Sequence, residues 1–262
     1  MSPSLFRRER IELPRGPTLE AARREGQGPV WVYLHGLGCA GSLDWPPVAK
    51  APALAGRASL WVDLPGFGLT ARPPDFESDL DVLGRLLAGA LVREPLPVAL
   101  VGHSMGGTLA LRVAEELVAL GYPPHALFLA EPNLRAEDAT GSAMAAAMRR
   151  EDFVAGWEAW CSGSSSEAYR ASLRQSDPVT FHQSASSLVR VGRGLLPRFA
   201  ALGVARKGYV LGGRSDAATH ETARLVAEAG IRVVTVAESG HGFSEEDPEG
   251  LGRALAELLT GA

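Results

Sequence analysis

The stretch Val98-Ala99-Leu100-Val101-Gly102-His103-Ser104-Met105-Gly106-Gly107 joins a short apolar run to a serine that has a glycine two positions away on either side. Four successive apolar residues at its start predict a strand that is buried on both faces. Apolar residues at positions 109, 113 and 117 follow at helical spacing and predict a helix. Glycines lack a Cβ, so the strand and the helix can close tightly around Ser104 and hold it in a strained conformation. We therefore expect the Ser104 hydroxyl at the carboxyl end of a buried strand, beside a helix N-terminus.

Similar apolar runs recur along the chain and alternate with amphipathic helical patterns. This alternation predicts an α/β fold, in which helices cover both faces of a mostly parallel sheet. The segment Leu5 to Leu13 mixes charged and apolar residues, which is typical of an exposed edge strand. The predicted buried strands are Val30 to Leu34, Ser59 to Val62, Val98 to Val101, Leu127 to Ala130, Tyr209 to Leu211 and Val233 to Val236.

Residues 134–201 interrupt this alternation, because they contain no convincing strand pattern and are rich in aromatic residues. We interpret them as a helical cap insertion, with residues 1–133 and 202–262 forming the core. The alternative is that these helices are ordinary crossover connections of the same sheet.

Composition limits the classes of function. A formal net charge of −4 argues against a nucleic-acid-binding protein, which needs clustered lysine and arginine. The chain has no apolar run of the roughly 20 residues that a membrane span requires. Two cysteines are too few for a disulfide framework, and MSPSLFRRER has no apolar secretory segment. We therefore expect a cytoplasmic protein with a small-molecule partner, and the sequence does not predict an oligomeric state.

A serine hydroxyl is a weak nucleophile at neutral pH and needs a base. His241 is the best candidate, because it follows a predicted strand and has a glycine on each side. His103 is next to the serine but is expected to point away across the turn. His35 begins the Gly36-Leu37-Gly38 loop, which we expect it to support by hydrogen bonding.

A third group must orient the base, and two carboxylates are candidates. Asp216 follows the Tyr209 to Leu211 strand, and we favour it. Glu131 ends the preceding predicted strand and is the alternative. Asp216 could instead simply cap the helix that follows it.

Backbone amides are needed to stabilise the oxyanion that forms during acyl transfer. The Leu37 amide lies in a glycine-rich loop after a predicted strand, and the Met105 amide follows the serine directly. We expect these two groups to form the oxyanion hole. Trp45 lies downstream of the loop, where it could line the site or belong to the core.

The succession of HGLG, DLPGFG, GHSMGG, GGRSD and SGHG, each after a predicted strand, resembles the α/β-hydrolase superfamily with a helical cap. The resemblance extends from about Trp31 to the C-terminus, except for much of the cap. It implies Ser104 as nucleophile, Asp216 as acid and His241 as base, with Leu37 and Met105 as oxyanion donors. The Glu131-Pro132-Asn133 segment and FHQSASSLVRV (181–191) resemble a subset of the superfamily, which keeps Glu131 open as the acid.

These features predict a serine hydrolase that cleaves an ester of a small or medium apolar acyl group through an acyl-enzyme. Phe153, Trp157 and Trp160 would line the acyl pocket or, alternatively, anchor the cap to the sheet. We expect no metal and no organic cofactor. A hydrolase of C–C bonds or a lyase on the same scaffold is the second interpretation, and a non-catalytic binding module is the third. Amide and lactone substrates also remain open.

Overall fold

In the computed structural model, which describes residues 6–95, 97–164 and 166–261, eight strands form one sheet. The strands lie in the order β1-β2-β4-β3-β5-β6-β7-β8. Their bounds are β1 Arg7–Glu12, β2 Thr18–Arg24, β3 Gln27–Leu34, β4 Arg57–Val62, β5 Val98–His103, β6 Ala126–Ala130, β7 Lys207–Gly212 and β8 Arg232–Val236.

Strands β3 to β8 pair in parallel, which confirms the predicted mostly parallel sheet. β1 and β2 are antiparallel and extend one edge. The predicted edge strand is therefore present as β1. Leu5, with which that prediction began, lies outside the described part of the chain. Strand β2 was not predicted, because its charged residues weaken the apolar pattern.

Helices cover both faces of the sheet and complete two apolar cores. One core contains Leu83, Leu109 and Leu188, and the other contains Trp31 and Leu255. The helices are α1 Gly41–Ala49, α2 Leu80–Leu91, α3 Met105–Ala119, α4 Thr140–Ala147, α5 Arg150–Ala155, α6 Trp157–Ser162, α7 Glu167–Leu173, α8 Pro178–Val191, α9 Leu195–Ala201, α10 Ala217–Glu228, α11 Phe243–Glu246 and α12 Pro248–Thr260.

Six of these helices, α4 to α9, lie between β6 and β7, and the described residues of this region contain no strand. We call residues 134–201 the helical segment. Its α8 is fixed to the N-terminal end of α2, because the Ser78 hydroxyl lies 2.7 Å from that of Ser184 and the Leu80 amide donates to the Ser187 hydroxyl. That the segment acts as a cap stays a prediction.

The parallel strands end at one edge of the sheet, and this brings distant parts of the sequence together. β3, β5, β6, β7 and β8 are followed there by the loops that carry Leu37, Ser104, Glu131, Asp216 and His241. Among the described residues, no helix is long and apolar enough to cross a membrane.

Candidate active site

Ser104 occupies a strained turn between β5 and α3. Its backbone has a φ of 54° and a ψ of −123°, in a region that residues with a Cβ seldom adopt. The turn is held by the Ser104 amide, which donates to the Ala130 carbonyl on the neighbouring strand. Strain of this kind persists only where the surroundings enforce it, and it places the side chain at the N-terminus of α3.

Two glycines make this turn possible because other backbone lies where their side chains would be. A Cβ on Gly102 would lie 2.2 Å from the Gly106 carbonyl oxygen. A Cβ on Gly106 would lie 2.2 Å from the Leu34 carbonyl oxygen. No heavy atom can approach this closely, so the sequence Gly-x-Ser-x-Gly is required by the packing of strand against helix.

His241 is oriented by Glu131. Oε2 of Glu131 lies 2.6 Å from Nδ1 of His241, while the other oxygen, Oε1, accepts from the Gly212 amide at 2.7 Å and the Ser215 hydroxyl at 2.6 Å. The Glu131 side chain is 1% exposed and that of His241 is 56% exposed. A carboxylate bound at Nδ1 favours the tautomer with its proton there, which leaves Nε2 free to accept a proton.

Asp216 does not make the contact predicted for it. Its carboxylate caps α10 by accepting a hydrogen bond from the Thr219 amide at 2.8 Å. This hydrogen bond lowers the pKa of Asp216. The hydrogen bond to His241 that we expected from Asp216 is made by Glu131, so the preference for Asp216 is corrected in favour of the alternative.

The two predicted oxyanion donors lie at the edge of the sheet where the parallel strands end. Met105 is the first residue of α3, and Leu37 lies in the loop after β3. Within the described part of the chain, neither amide donates a hydrogen bond to another residue. His35 supports this loop as predicted: Nδ1 donates to the Gly36 carbonyl at 2.8 Å, and Nε2 accepts from the Leu64 amide at 3.1 Å.

His103 does not point away from the site. Its ring centroid lies 4.7 Å from that of His241 and 5.8 Å from that of Phe243. Burial, with a smaller contribution from His241, lowers the pKa of His103 to about 3. A neutral ring therefore packs against the imidazole that Glu131 orients.

A cavity of about 1370 Å³ contains Ser104, His241 and Glu131 in its wall. Phe153 and Trp160 of the helical segment line it as well. Trp157 does not line it and packs behind, against Phe153 and Phe181.

The expectation that Trp45 could line the site is wrong. Trp45 is 2% exposed and packs on Tyr33 in the core that contains Trp31 and Leu255, with ring centroids 5.0 Å apart.

The described residues contain no cluster of three or more histidine, cysteine or carboxylate side chains arranged to hold a metal ion.

Sequence reasoning missed two polar contributors to the site. Ser215 hydrogen-bonds Glu131, and Tyr169 of α7 donates to the Leu37 carbonyl at 3.0 Å. The position of Ser215 in GGRSD, directly after a strand, was an available signal. Tyr169 lies 132 positions from Leu37 and had none.

Comparison with known proteins supports the architecture. The model of the alpha/beta hydrolase family matches residues 31–254. No curated protein sequence matches the chain.

Several solved structures are similar in fold. An esterase from Exiguobacterium antarcticum is 19% identical with a TM-score of 0.75, over 95% of this chain and 98% of that one. A thermophilic esterase from Thermogutta terrifontis is 20% identical with a TM-score of 0.72, over 97% and 98%. A haloalkane dehalogenase from Agrobacterium tumefaciens C58 is 17% identical with a TM-score of 0.74, over 98% and 97%. At these identities the likeness shows the fold, which proteins with different activities share.

Proposed function

This chain belongs to the alpha/beta hydrolase family, and we propose that it is a serine hydrolase that cleaves a carboxylic ester of a small or medium apolar acyl group. Ser104 is the nucleophile, His241 the base and Glu131 the acid that orients the base. The amides of Leu37 and Met105 form the oxyanion hole. No step of this chemistry requires a metal or an organic cofactor.

The reaction follows from the roles of these groups. Oγ of Ser104 attacks the ester carbonyl while Nε2 of His241 takes its proton. The tetrahedral intermediate places its negative oxygen between the two amides. Its collapse releases the alcohol, which takes the proton from His241. Water, activated by the same imidazole, then attacks the acyl-enzyme and releases the carboxylic acid and Ser104.

One observation carries this proposal, the 2.6 Å contact between Oε2 of Glu131 and Nδ1 of His241 in the wall of the cavity that also contains Ser104. A buried carboxylate that is fully hydrogen-bonded can stabilise the imidazolium that forms when Ser104 loses its proton. The strained backbone of Ser104 supports the same assignment.

The lining of the cavity supports an uncharged acyl group. Phe153, Trp160 and Phe181 provide apolar surface. Among the described residues, no lysine or arginine lines the cavity, so neither type of side chain can pair there with a carboxylate or phosphate on the substrate. We propose that residues 134–201 act as a cap that supplies the apolar part of this wall. The carboxyl groups that line the cavity are those of Asp44, Glu131, Asp138, Asp216, Glu245 and Glu246.

Covalent labelling tests the proposal. A fluorophosphonate should modify the wild-type protein once, at Ser104, and should not modify Ser104→Ala. A series of nitrophenyl esters of increasing acyl length should then be hydrolysed by the wild type, and by Ser104→Ala at a rate at least about a thousandfold lower. Matched amides and lactones establish which acyl compounds are accepted. Absence of labelling together with absence of ester turnover would favour the non-catalytic binding module.

A further inference from the structure

The loop of residues 35–40, which carries Leu37, packs directly against the helical segment. Gly38 has a φ of +73°. A Cβ at this position would lie 2.6 Å from Cδ2 of Leu173 and 2.7 Å from the hydroxyl oxygen of Tyr169. Helix α7 therefore covers this side of the loop closely, and a side chain at position 38 would fit only if Leu173 and Tyr169 moved.

Tyr169 makes a directed contact with this loop. Its hydroxyl donates to the Leu37 carbonyl oxygen at 3.0 Å. Burial raises the pKa of Tyr169 far above its usual value, so the phenol keeps the proton that it donates. The carbonyl and the amide of Leu37 flank one Cα, and holding the carbonyl restricts the backbone rotations that would turn the amide away from the cavity.

The N-terminal end of the same helix is held to α11, the short helix that follows the proposed base, His241. The Ser166 hydroxyl accepts from the Tyr169 amide at 3.0 Å and thereby caps α7. It also donates to Oε2 of Glu245 at 2.5 Å. Glu245 lies in α11, four residues after His241. Helix α7 thus contacts both the loop of Leu37 and α11, the short helix that follows His241.

We propose that Tyr169 is a positioning residue, whose hydroxyl holds the Leu37 backbone so that the Leu37 amide is directed at the oxyanion. This inference rests on the proposed function. It also gives the helical segment a role in transition-state stabilisation, in addition to forming the wall of the cavity.

The experiment removes one hydroxyl. Tyr169→Phe deletes the hydrogen bond and keeps the ring, while Tyr122→Phe is the matched control, because Tyr122 is 61% exposed and lies outside the cavity. We expect Tyr169→Phe to lower kcat for a nitrophenyl ester about tenfold and to leave KM within about twofold, since an oxyanion donor acts only in the transition state. A boronic acid, whose tetrahedral adduct with Ser104 uses the same hole, should bind more weakly by a similar factor. Tyr122→Phe should match the wild type in all three quantities.

Hydrogen exchange provides a readout that does not depend on ester turnover. The amides of residues 35–40 should exchange faster in Tyr169→Phe than in the wild type and in Tyr122→Phe. Unchanged exchange together with unchanged boronic acid affinity would overturn the positioning role. So would a rise in KM with kcat unaltered, which would make Tyr169 a wall residue only. Failure of the proposed function is distinguishable from either result, because wild-type Ser104 would then neither be labelled nor turn over esters.

Discussion

Glu131 and His241 are 110 positions apart in the sequence, yet Oε2 of one lies 2.6 Å from Nδ1 of the other. Glu131 directly follows β6 and His241 follows β8, so the contact spans the end of the intervening strand β7. Glu131 reaches across because its backbone adopts a φ of 43°, and the Gly212 amide at the end of β7 binds its other oxygen. The end of β7 therefore helps to hold the Glu131 carboxylate in the position from which it contacts His241.

Glu131→Gln should lower kcat/KM for a nitrophenyl ester by about a thousandfold to ten-thousandfold, because the amide can neither stabilise the imidazolium nor favour the required tautomer. Asp216→Asn is the contrasting variant and should stay within about threefold of the wild type, since asparagine also caps helices. Steady-state kinetics at neutral pH check both values. If Asp216→Asn is the inactive variant and Glu131→Gln is not, the assignment of the acid is wrong.

The low pKa of His103 has a consequence for stability. The unfolded chain takes up a proton on this histidine near pH 6.5, whereas the folded protein does so only near pH 3. Acid therefore favours unfolding, and the free energy of unfolding should fall as the pH drops below about 6.5, by up to about 1.4 kcal/mol per pH unit from this residue.

Urea unfolding of the wild type and of His103→Gln at several pH values between 7 and 4 measures this effect. The variant should lose stability less steeply as the pH falls, because glutamine does not titrate. Parallel curves for the two proteins would show that His103 is protonated equally in the folded and unfolded states.

Trp157 and Trp160 both lie in α6 but have different positions. Trp160 lines the cavity, whereas Trp157 packs behind its wall. Trp160→Ala should enlarge the cavity and raise kcat/KM for long acyl chains relative to short ones, by about tenfold or more. Trp157→Ala should lower the melting temperature, since Trp157 packs on Phe153, and should leave the preference for acyl length unchanged. An acyl-length series on both variants decides this, and identical profiles would contradict the assignment of Trp160 to the acyl pocket.

The close approach of α3 to β3 predicts that Gly106→Ala prevents folding, because the added methyl would meet the Leu34 carbonyl at 2.2 Å. Gly203→Ala is the control, since no atom lies within 4 Å of its Cβ position, and its stability should change by less than about 0.5 kcal/mol. Soluble yield and thermal unfolding report the outcome. A cooperative Gly106→Ala protein with a melting temperature near that of the wild type would show that the helix can move away.

The sequence predicts those parts of the fold that are determined by residues close together along the chain. The continuous apolar runs of β3 to β7 are recognisable because both faces of these strands are buried along the run. The run of β8 is recognisable too, although β8 is an edge strand and only Val236 in it is fully buried. Strand β2 is not, because it lies near the sheet edge and carries the sequence TLEAARR. Ser104 and its glycines are equally readable, since they stand together in one short stretch between the run of β5 and the helical pattern of α3.

The neighbouring sequence does not decide which of the two carboxylates contacts His241. Glu131 and Asp216 both follow strands at the same edge, and either position fits the required order along the chain. The backbone conformation of Glu131 separates them, and it depends on tertiary packing. The use of Asp216 as a helix cap is local, and the sequence had already offered it as an alternative. The contact between Tyr169 and Leu37 could not be predicted either, because it depends on tertiary packing between residues 132 positions apart.

No lysine or arginine is among the lining residues described above. The cavity should therefore interact differently with a neutral substrate that enters and with an anionic product that leaves. A neutral ester meets no electrostatic barrier when it enters a cavity lined by carboxyl groups. In the proposed reaction, hydrolysis converts the acyl half into an anion at neutral pH, and the carboxylates of the same wall then repel it. Charge repulsion would thus help to expel the product, and a build-up of free acid should inhibit the protein only weakly.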